Sequence, residues 1–280
     1  MKLCRYGAPG NERPALIDPQ GRLRDLSGHI DDIGPESISP EALQSLAALS
    51  TADLPLVTGT PRLGPPLRGV SKFIGIGLNY RDHAREAGLP LPAEPIIFLK
   101  APSCISGPYD PIRKPAHSTR LDWELELGVV IGSTARQVTE QHALQHVAGY
   151  CIVNDVSDRG FQFQSSQWDK GKGCDSFGPI GPWLVTRDEI ADPQRLTMWL
   201  EINGVRRQAG NTADMIFSVA QLVAYCSRYM TLLPGDIIST GTPAGVGMGQ
   251  QPEPVWLANG DQTRLWIEGL GEQSQRVVSD

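Results

Sequence analysis

The most informative stretch of the chain is Asp122-Trp123-Glu124-Leu125-Glu126-Leu127-Gly128-Val129-Val130-Ile131-Gly132. Its first half alternates acidic and apolar residues, which predicts a β-strand over residues 123–131. The alternation places the Glu124 and Glu126 carboxylates on one face of that strand. Neighbouring carboxylates repel each other, and a divalent cation bound between them would relieve the repulsion. The alternative is an amphipathic strand with its acidic face in water, and an isolated Glu-x-Glu is more typical of that alternative.

The bulk composition is that of a soluble globular protein, with 280 residues, 40% of them hydrophobic, and a formal net charge of -6. That charge offers no basic face for nucleic acid. No apolar run approaches the roughly 18 residues of a membrane span, and the N-terminus lacks the apolar stretch of a signal peptide. The five cysteines form no Cys-x-x-Cys pair, which favours free thiols. We therefore expect a cytoplasmic protein.

Short strand-like runs dominate the chain beyond its Pro/Gly-rich connector at residues 58–67. They lie at residues 73–77, 96–99, 123–131, 149–153, 183–185, 198–202, 236–239 and 264–267. Helices are predicted at residues 40–49, 80–87, 140–146 and 218–230. This pattern predicts an α+β, mainly β fold. We place a small N-terminal α+β domain at residues 1–68 and a catalytic domain at residues 69–280.

Two glycine-rich segments resemble phosphate-binding motifs but are incomplete. Gly75-Ile76-Gly77 lacks the third glycine of a dinucleotide fingerprint, because Tyr80 stands in its place. Residues 241–247 lack the lysine of a P-loop. A nucleotide site is therefore not predicted.

Asp155 ends the apolar run Tyr150-Cys151-Ile152-Val153-Asn154. A carboxylate at the end of a buried strand can join two carboxylates on a neighbouring strand, and three such groups with waters suit Mg²⁺ or Mn²⁺. Alternatively, Asp155 caps a turn together with Ser157 and Asp158.

His83 and Glu86 stand three residues apart in a predicted helix, so their side chains share one helical face. Asn79 is the predicted N-cap of this helix and Gly88 its stop. A carboxylate beside an imidazole raises the basicity of the ring and fixes its tautomer, which suits a general base acting on water. The alternative is an ion pair on a surface helix.

Two basic residues follow Asp155. Arg159 is a natural bidentate partner for a carboxylate. Lys172 lies among small residues, so its ammonium could reach inward. Either one could equally be a charge in solvent.

Taken together, these motifs resemble the fumarylacetoacetate hydrolase superfamily. The resemblance covers about residues 70 to 250, in family order. It is carried by Gly77-Leu78-Asn79-Tyr80-Arg81-Asp82-His83-Ala84-Arg85-Glu86, Pro95-Ile96-Ile97-Phe98-Leu99-Lys100, Asp122-Trp123-Glu124-Leu125-Glu126-Leu127, Asn154-Asp155-Val156-Ser157-Asp158-Arg159, Gly171-Lys172-Gly173-Cys174-Asp175-Ser176-Phe177-Gly178-Pro179 and Thr240-Gly241-Thr242-Pro243-Ala244-Gly245-Val246-Gly247.

The resemblance implies a mixed β-roll, a homodimer or higher homo-oligomer, and a site with three kinds of residue. Glu124, Glu126 and Asp155 would hold Mg²⁺ or Mn²⁺, and the family pattern gives Asp122 no role in metal binding. His83 and Glu86 would form a catalytic dyad, with Lys172 as the active-site lysine. The remaining positions implied for substrate contact are Arg159, Gln162 and Thr240.

The implied reaction is hydrolysis of the C3–C4 bond of a 2,4-diketo acid. Within the superfamily, the sequence most resembles hydrolases of 2,4-diketo-3-deoxy sugar acids such as the rhamnonate or fuconate derivative, which give pyruvate and lactate. Alternatives within the superfamily are a fumarylpyruvate or other acylpyruvate hydrolase, an oxaloacetate decarboxylase and a diketo-acid isomerase. A non-catalytic metal-binding domain is the alternative from another class.

Overall fold

A computed structural model describes all 280 residues. The strands are β1 Lys2–Tyr6, β2 Arg13–Ile17, β3 Leu23–Asp25, β4 Phe73–Gly77, β5 Ile96–Lys100, β6 Ile105–Ser106, β7 Ile112–Lys114, β8 Leu121–Asp122, β9 Leu125–Ile131, β10 Val147–Asn154, β11 Ser157–Asp158, β12 Gly178–Thr186, β13 Thr197–Ile202, β14 Val205–Asn211, β15 Ile237–Ser239, β16 Gln262–Ile267 and β17 Gly271–Ser279. The α-helices are α1 Pro40–Ala47, α2 Arg81–Glu86, α3 Glu140–Ala143, α4 Arg159–Gln162, α5 Asp169–Lys172 and α6 Val219–Tyr229. The predicted α+β, mainly β class is confirmed.

Two large sheets organise the strands. The first has the order β3-β2-β1-β12-β10-β9-β15-β4-β5, with β6 pairing alongside β12. The second has the order β14-β13-β16-β17-β7, and β8 and β11 form a separate two-stranded ribbon. One hydrophobic core of 53 buried residues includes side chains from both large sheets. The mixed pairing agrees with the β-roll implied by the resemblance.

The strand predicted from the Glu-x-Glu pattern, β9, lies at the centre of the first sheet. Strand β9 pairs antiparallel with both β10 and β15, and all seven of its residues are buried. The strand begins at Leu125 rather than at the predicted Trp123, because Asp122 pairs with Ser157 in the β8–β11 ribbon. Glu124 is only 5% exposed and Glu126 2%. The alternative of a solvated acidic face is therefore wrong.

The N-terminal segment extends the first sheet. Strand β1 pairs antiparallel with β12 through Leu3 and Leu184, and both side chains belong to the main core. A smaller cluster of Cys4, Tyr6, Ala15 and Leu63 lies beside it. The proposed boundary at residue 68 stays a prediction.

Helix α2 begins one residue later than predicted. Its N-cap is Tyr80, which makes no capping hydrogen bond with its side chain. The prediction of Asn79 as N-cap is wrong, because the Asn79 amide bonds both backbone groups of Phe217 and the carbonyl of Thr240. Gly88, at φ +66°, ends the helix as predicted.

No helix in the structure combines the length and the apolar character needed to cross a membrane. All five cysteines are free, and Cys151 and Cys226 are buried in the core.

Candidate active site

Three buried carboxylates converge where β9 and β10 meet the loops at their ends. Glu126 lies on β9, Glu124 immediately precedes it, and Asp155 follows the last residue of β10. The backbone N–H of Asp155 donates to the Glu124 carbonyl oxygen at 2.9 Å, which ties the two segments together. One oxygen from each carboxylate lies within 4.8 Å of the others. The structure thus brings together the three residues predicted to bind metal.

Three buried cations surround these carboxylates. Arg159 bridges Asp122 and Glu124. Lys172 Nζ donates to Glu124 Oε2 and Asp155 Oδ2, at 2.7 Å each. Lys100, 1% exposed, donates to Asp155 Oδ1. The alternatives that placed Arg159 and Lys172 in solvent are therefore wrong.

The charges of this cluster do not balance around Glu126. Its carboxylate accepts hydrogen bonds from Ser239 Oγ at 2.6 Å and from the N–H of Gly241 at 2.9 Å, both of them neutral donors. Burial, reinforced by the charges of Asp155 and Glu124, raises the pKa of Glu126 to about 8. Burial acts in the same direction on Glu124, but Arg159 and Lys172 outweigh it and hold that pKa well below its ordinary value.

This donor set fits a hard divalent cation. Carboxylate oxygens are the ligands that Mg²⁺ and Mn²⁺ prefer. Electrostatics also favours a cation at this place. A cation between the three carboxylates would offset the repulsion from Asp155 and Glu124 that helps to raise the pKa of Glu126. Asp122 takes no part in the cluster of potential ligands, because it accepts from Arg159 and from the N–H groups of Gly247 and Met248.

The proposed dyad is formed on α2. His83 Nδ1 and Glu86 Oε2 lie 2.8 Å apart, and the other Glu86 oxygen accepts from the N–H of Gly245 at 2.8 Å. His83 is buried and lines the same cavity as Glu124 and Glu126. The alternative of a surface ion pair is wrong, since both side chains are largely covered.

The glycine-rich loop at residues 241–249 binds carboxylates instead of phosphate. The backbone N–H groups of Gly241, Gly245 and Gly247 donate to Glu126, Glu86 and Asp122 respectively. Each glycine allows a close approach that a side chain would block. An added Cβ would lie 2.7 Å from the Asn79 Cβ at Gly241, 2.0 Å from the Arg207 carbonyl oxygen at Gly245 and 2.2 Å from the Val255 carbonyl oxygen at Gly247.

Two of the three residues implied for substrate contact line the cavity. Arg159 and Gln162 do so, and Gln162 Oε1 accepts from Arg159 Nη1 at 2.9 Å. Thr240 does not, because its hydroxyl is fully buried and donates to the Leu127 carbonyl oxygen at 2.9 Å. Thr242, two residues further along, lines the cavity instead.

The cavity that joins these groups has a volume of about 170 Å³. Its charged end contains Glu124, Glu126, Arg159 and Lys172, with His83 beside them. The remainder is mostly apolar and is lined by Leu78, Leu89, Ile96, Phe98, Phe163 and Trp168. The cavity therefore gives one small molecule access to both the carboxylate cluster and the dyad.

Lys100 has no predicted role, although it ends the motif Pro95-Ile96-Ile97-Phe98-Leu99-Lys100. Its ammonium also donates to the carbonyl oxygen of Lys172, so it supports both Asp155 and the segment that carries the second lysine. The available signal was a lysine closing a run of four apolar residues, Ile96 to Leu99.

Comparison with known proteins agrees with this geometry. The family model of the fumarylacetoacetate (FAA) hydrolase C-terminal region matches residues 72–278. A Burkholderia cenocepacia J2315 protein, named only as a hydrolase, is 59% identical over 276 residues, which are 98% of each chain.

Solved structures of similar proteins cover the whole chain. Fumarylacetoacetate hydrolase from Exiguobacterium antarcticum has a TM-score of 0.87 and 36% identity, with all of both chains covered. Maleylpyruvate hydrolase from Sphingobium sp. SYK-6, solved with manganese(II) and pyruvate, has a TM-score of 0.84 and 29% identity, over 100% of this chain and 99% of that one. A 2-hydroxyhepta-2,4-diene-1,7-dioate isomerase from Mycobacterium marinum has a TM-score of 0.76 and 34% identity, over the same shares. The matched region contains the carboxylate cluster, the dyad and both lysines, and the chain therefore belongs to the fumarylacetoacetate hydrolase family.

Proposed function

We propose that this protein is a metal-dependent hydrolase that cleaves the C3–C4 bond of a 2,4-diketo acid. The observation that carries the proposal is the meeting of a carboxylate triad and a His–Glu dyad in one cavity, since Glu124, Glu126 and His83 all line it. The proposed ligands of Mg²⁺ or Mn²⁺ are Glu124, Glu126 and Asp155. A divalent cation held by them would supply a Lewis-acid charge for the carboxylate and C2 oxygen of the substrate.

The chain's own residues account for the proton transfers. Glu86 accepts at His83 Nδ1 and is fixed by Gly245, so the other ring nitrogen of His83 is free to take a proton from water. The resulting hydroxide attacks the C4 carbonyl. Lys172 stabilises the oxyanion that forms there, because its ammonium is buried and held within the same cluster.

Collapse of that intermediate breaks the C3–C4 bond. The acyl tail leaves as a carboxylic acid, and the electron pair of the bond passes to the pyruvyl fragment as an enolate. Return of the proton from His83 to C3 then gives pyruvate and restores the neutral imidazole, so one water is consumed for each diketo acid. Lys172 stays protonated at neutral pH, because Asp155 and Glu124 outweigh the effect of burial and raise its pKa.

The resemblance to hydrolases of 2,4-diketo-3-deoxy sugar acids makes such a sugar acid one candidate substrate, with pyruvate and lactate as products. Isomerisation is the second candidate function, supported by the 34% identity to the Mycobacterium marinum protein named as an isomerase. Isomerisation would use the same charged end of the cavity, without attack by water. The implied homo-oligomer is part of this proposal and is measured by light scattering after gel filtration.

Pyruvate release tests the proposal. The purified protein is incubated with acylpyruvates, diketo sugar acids and oxaloacetate, with Mg²⁺ and then with EDTA. Release from acylpyruvates or diketo sugar acids that EDTA abolishes supports hydrolysis. Isomerisation alone would give a spectral change without pyruvate, and decarboxylation alone would release CO₂ from oxaloacetate. No turnover of any substrate would favour a non-catalytic metal-binding domain.

A further inference from the structure

The cavity has no positive charge outside its catalytic end. Arg159 is bonded to Asp122 and Glu124, and Lys172 to Glu124 and Asp155, so both lining cations are already engaged there. A second carboxylate on a substrate's tail would lie in the apolar part of the cavity without a cation to pair with. Burying a charge in that way is strongly unfavourable.

The neutral polar side chains of the lining are also held near the catalytic end. Gln162 Oε1 accepts from Arg159. The hydroxyl of Thr242 donates to the Leu125 carbonyl oxygen and accepts from Gln208. A hydroxylated tail that reached past these groups would therefore meet apolar side chains.

The rings of Phe98 and Trp168 form an aromatic wall of the cavity beside Lys172. Lys172 Nζ lies 4.9 Å from the centroid of the Phe98 ring. The Phe98 and Trp168 rings are 5.5 Å apart at 58°. Both rings line the cavity together with Leu89, which is 54% exposed and therefore lies at its mouth.

Two glycines on β4 fix the positions of these rings. Gly75 is directly opposite Phe98 in the β4–β5 pair, and an added Cβ would lie 2.1 Å from the Phe98 ring. An added Cβ on Gly77 would lie 2.7 Å from the Trp168 ring. Gly75 and Gly77 share one face of the strand, because they are two residues apart. The Phe98 and Trp168 rings therefore pack directly against the backbone of β4.

We propose that Phe98 and Trp168 select substrates with a neutral, apolar acyl tail, either aromatic or short alkyl. This inference rests on the proposed diketo-acid hydrolysis and specifies its substrate class. The whole cavity has a volume of about 170 Å³ and must also hold the pyruvyl part of the substrate, so the tail that it accepts is compact. Both a diacid and a hydroxylated sugar acid would be poorer substrates.

The test compares kcat/KM for acetylpyruvate, benzoylpyruvate, fumarylpyruvate and a 2,4-diketo-3-deoxy sugar acid, all with Mg²⁺. We expect benzoylpyruvate to exceed fumarylpyruvate and the sugar acid at least tenfold, because each buried CH₂ equivalent contributes about fourfold and an apolar pocket rejects an added hydroxyl by up to about 100-fold. A diacid or sugar acid that equals or exceeds benzoylpyruvate would overturn the selectivity alone. No pyruvate from any substrate would overturn the proposed function itself.

Variants identify the residues responsible. Trp168→Ala should lower the ratio of kcat/KM for benzoylpyruvate to that for acetylpyruvate at least tenfold. The matched control is Trp266→Ala, which removes an indole that stacks on Trp199 in the second sheet, and the ratio should not change. Leu89→Arg adds a cation at the mouth of the cavity and should raise the ratio of fumarylpyruvate to benzoylpyruvate. A ratio within twofold of wild type in Trp168→Ala would contradict the assignment of the aromatic wall.

Discussion

The backbone N–H of Gly245 donates a 2.8 Å hydrogen bond to Glu86 Oε1, although 159 residues separate the two. Glu86 in turn holds His83 Nδ1, so the glycine-rich loop positions the proposed dyad through this hydrogen bond. Gly245 has a φ of +105°. The loop is thus part of the proposed catalytic site even though none of its hydrogen bonds reaches an imidazole nitrogen.

Gly245→Ala should reduce kcat by about 100-fold, since small misplacements of catalytic groups have effects of that size. The new Cβ would lie 2.0 Å from the Arg207 carbonyl oxygen, so the loop must move and its N–H group that holds Glu86 must move with it. Gly204→Ala is the matched control, because Gly204 also has a positive φ, of +77°, but open space around it. Both variants lose about 1–2 kcal/mol of stability from the backbone conformation. Equal kcat values in the two would contradict the positioning role.

His83→Ala should lower kcat by about 10²–10⁴-fold, the usual contribution of a general base. Mg²⁺ affinity should stay within a few-fold of wild type, because the three proposed ligands come from other segments. Pyruvate release and titration calorimetry measure the two quantities. His142→Ala, on the exposed face of α3, is the control. Near-normal hydrolysis by the His83 variant with metal retained would rule out the dyad.

Sequence reasoning predicted which side chains meet in the candidate site but not the contacts that hold them. Glu124, Glu126 and Asp155 follow from local strand patterns combined with the family resemblance. The hydrogen bond from Gly245 to Glu86 cannot be predicted from the local sequence, because its donor is a backbone N–H group, which nearly every residue type has. Periodicity predicts a strand from its local pattern alone. It placed the start of β9 at Trp123 because it contains no information about the pairing of Asp122 with Ser157.

Helix capping shows the same limit. Asn79 has the residue type and position of an N-cap, yet its amide bonds Phe217 and Thr240, which are remote in the sequence. Such tertiary hydrogen bonds override a local preference because they satisfy buried backbone groups that would otherwise lack partners.

Lys100→Met should destabilise the metal-free protein by up to about 3–5 kcal/mol, because it removes one of the two cations that pair with the buried Asp155 carboxylate. The same change should tighten Mg²⁺ binding, since Asp155 then keeps only Lys172 and the local charge becomes more negative. The matched control is Lys72→Met, which removes the partner of buried Asp236 outside the carboxylate cluster. Thermal unfolding with and without Mg²⁺ distinguishes them. A smaller Mg²⁺-induced rise in Tm for Lys100→Met than for wild type would refute the electrostatic coupling.

The pKa of Glu126 predicts how stability and metal binding change with pH. Its pKa is about 8 in the folded protein, against an ordinary value of 4.5. Between these values the folded metal-free protein keeps a proton that the unfolded chain has lost, so its free energy of unfolding should fall as pH rises through this window.

Mg²⁺ must displace that proton, so its affinity should rise by up to about tenfold per pH unit below pH 8 and level off above it. Glu126→Gln removes the titrating group and should flatten both the pH dependence of metal-free stability and that of Mg²⁺ affinity, while weakening binding overall. Glu253→Gln, at an exposed position, should preserve both slopes. Calorimetric titrations from about pH 6 to above pH 8 measure the affinity. A Glu126→Gln protein that retained the wild-type slope would show that another group takes up the proton.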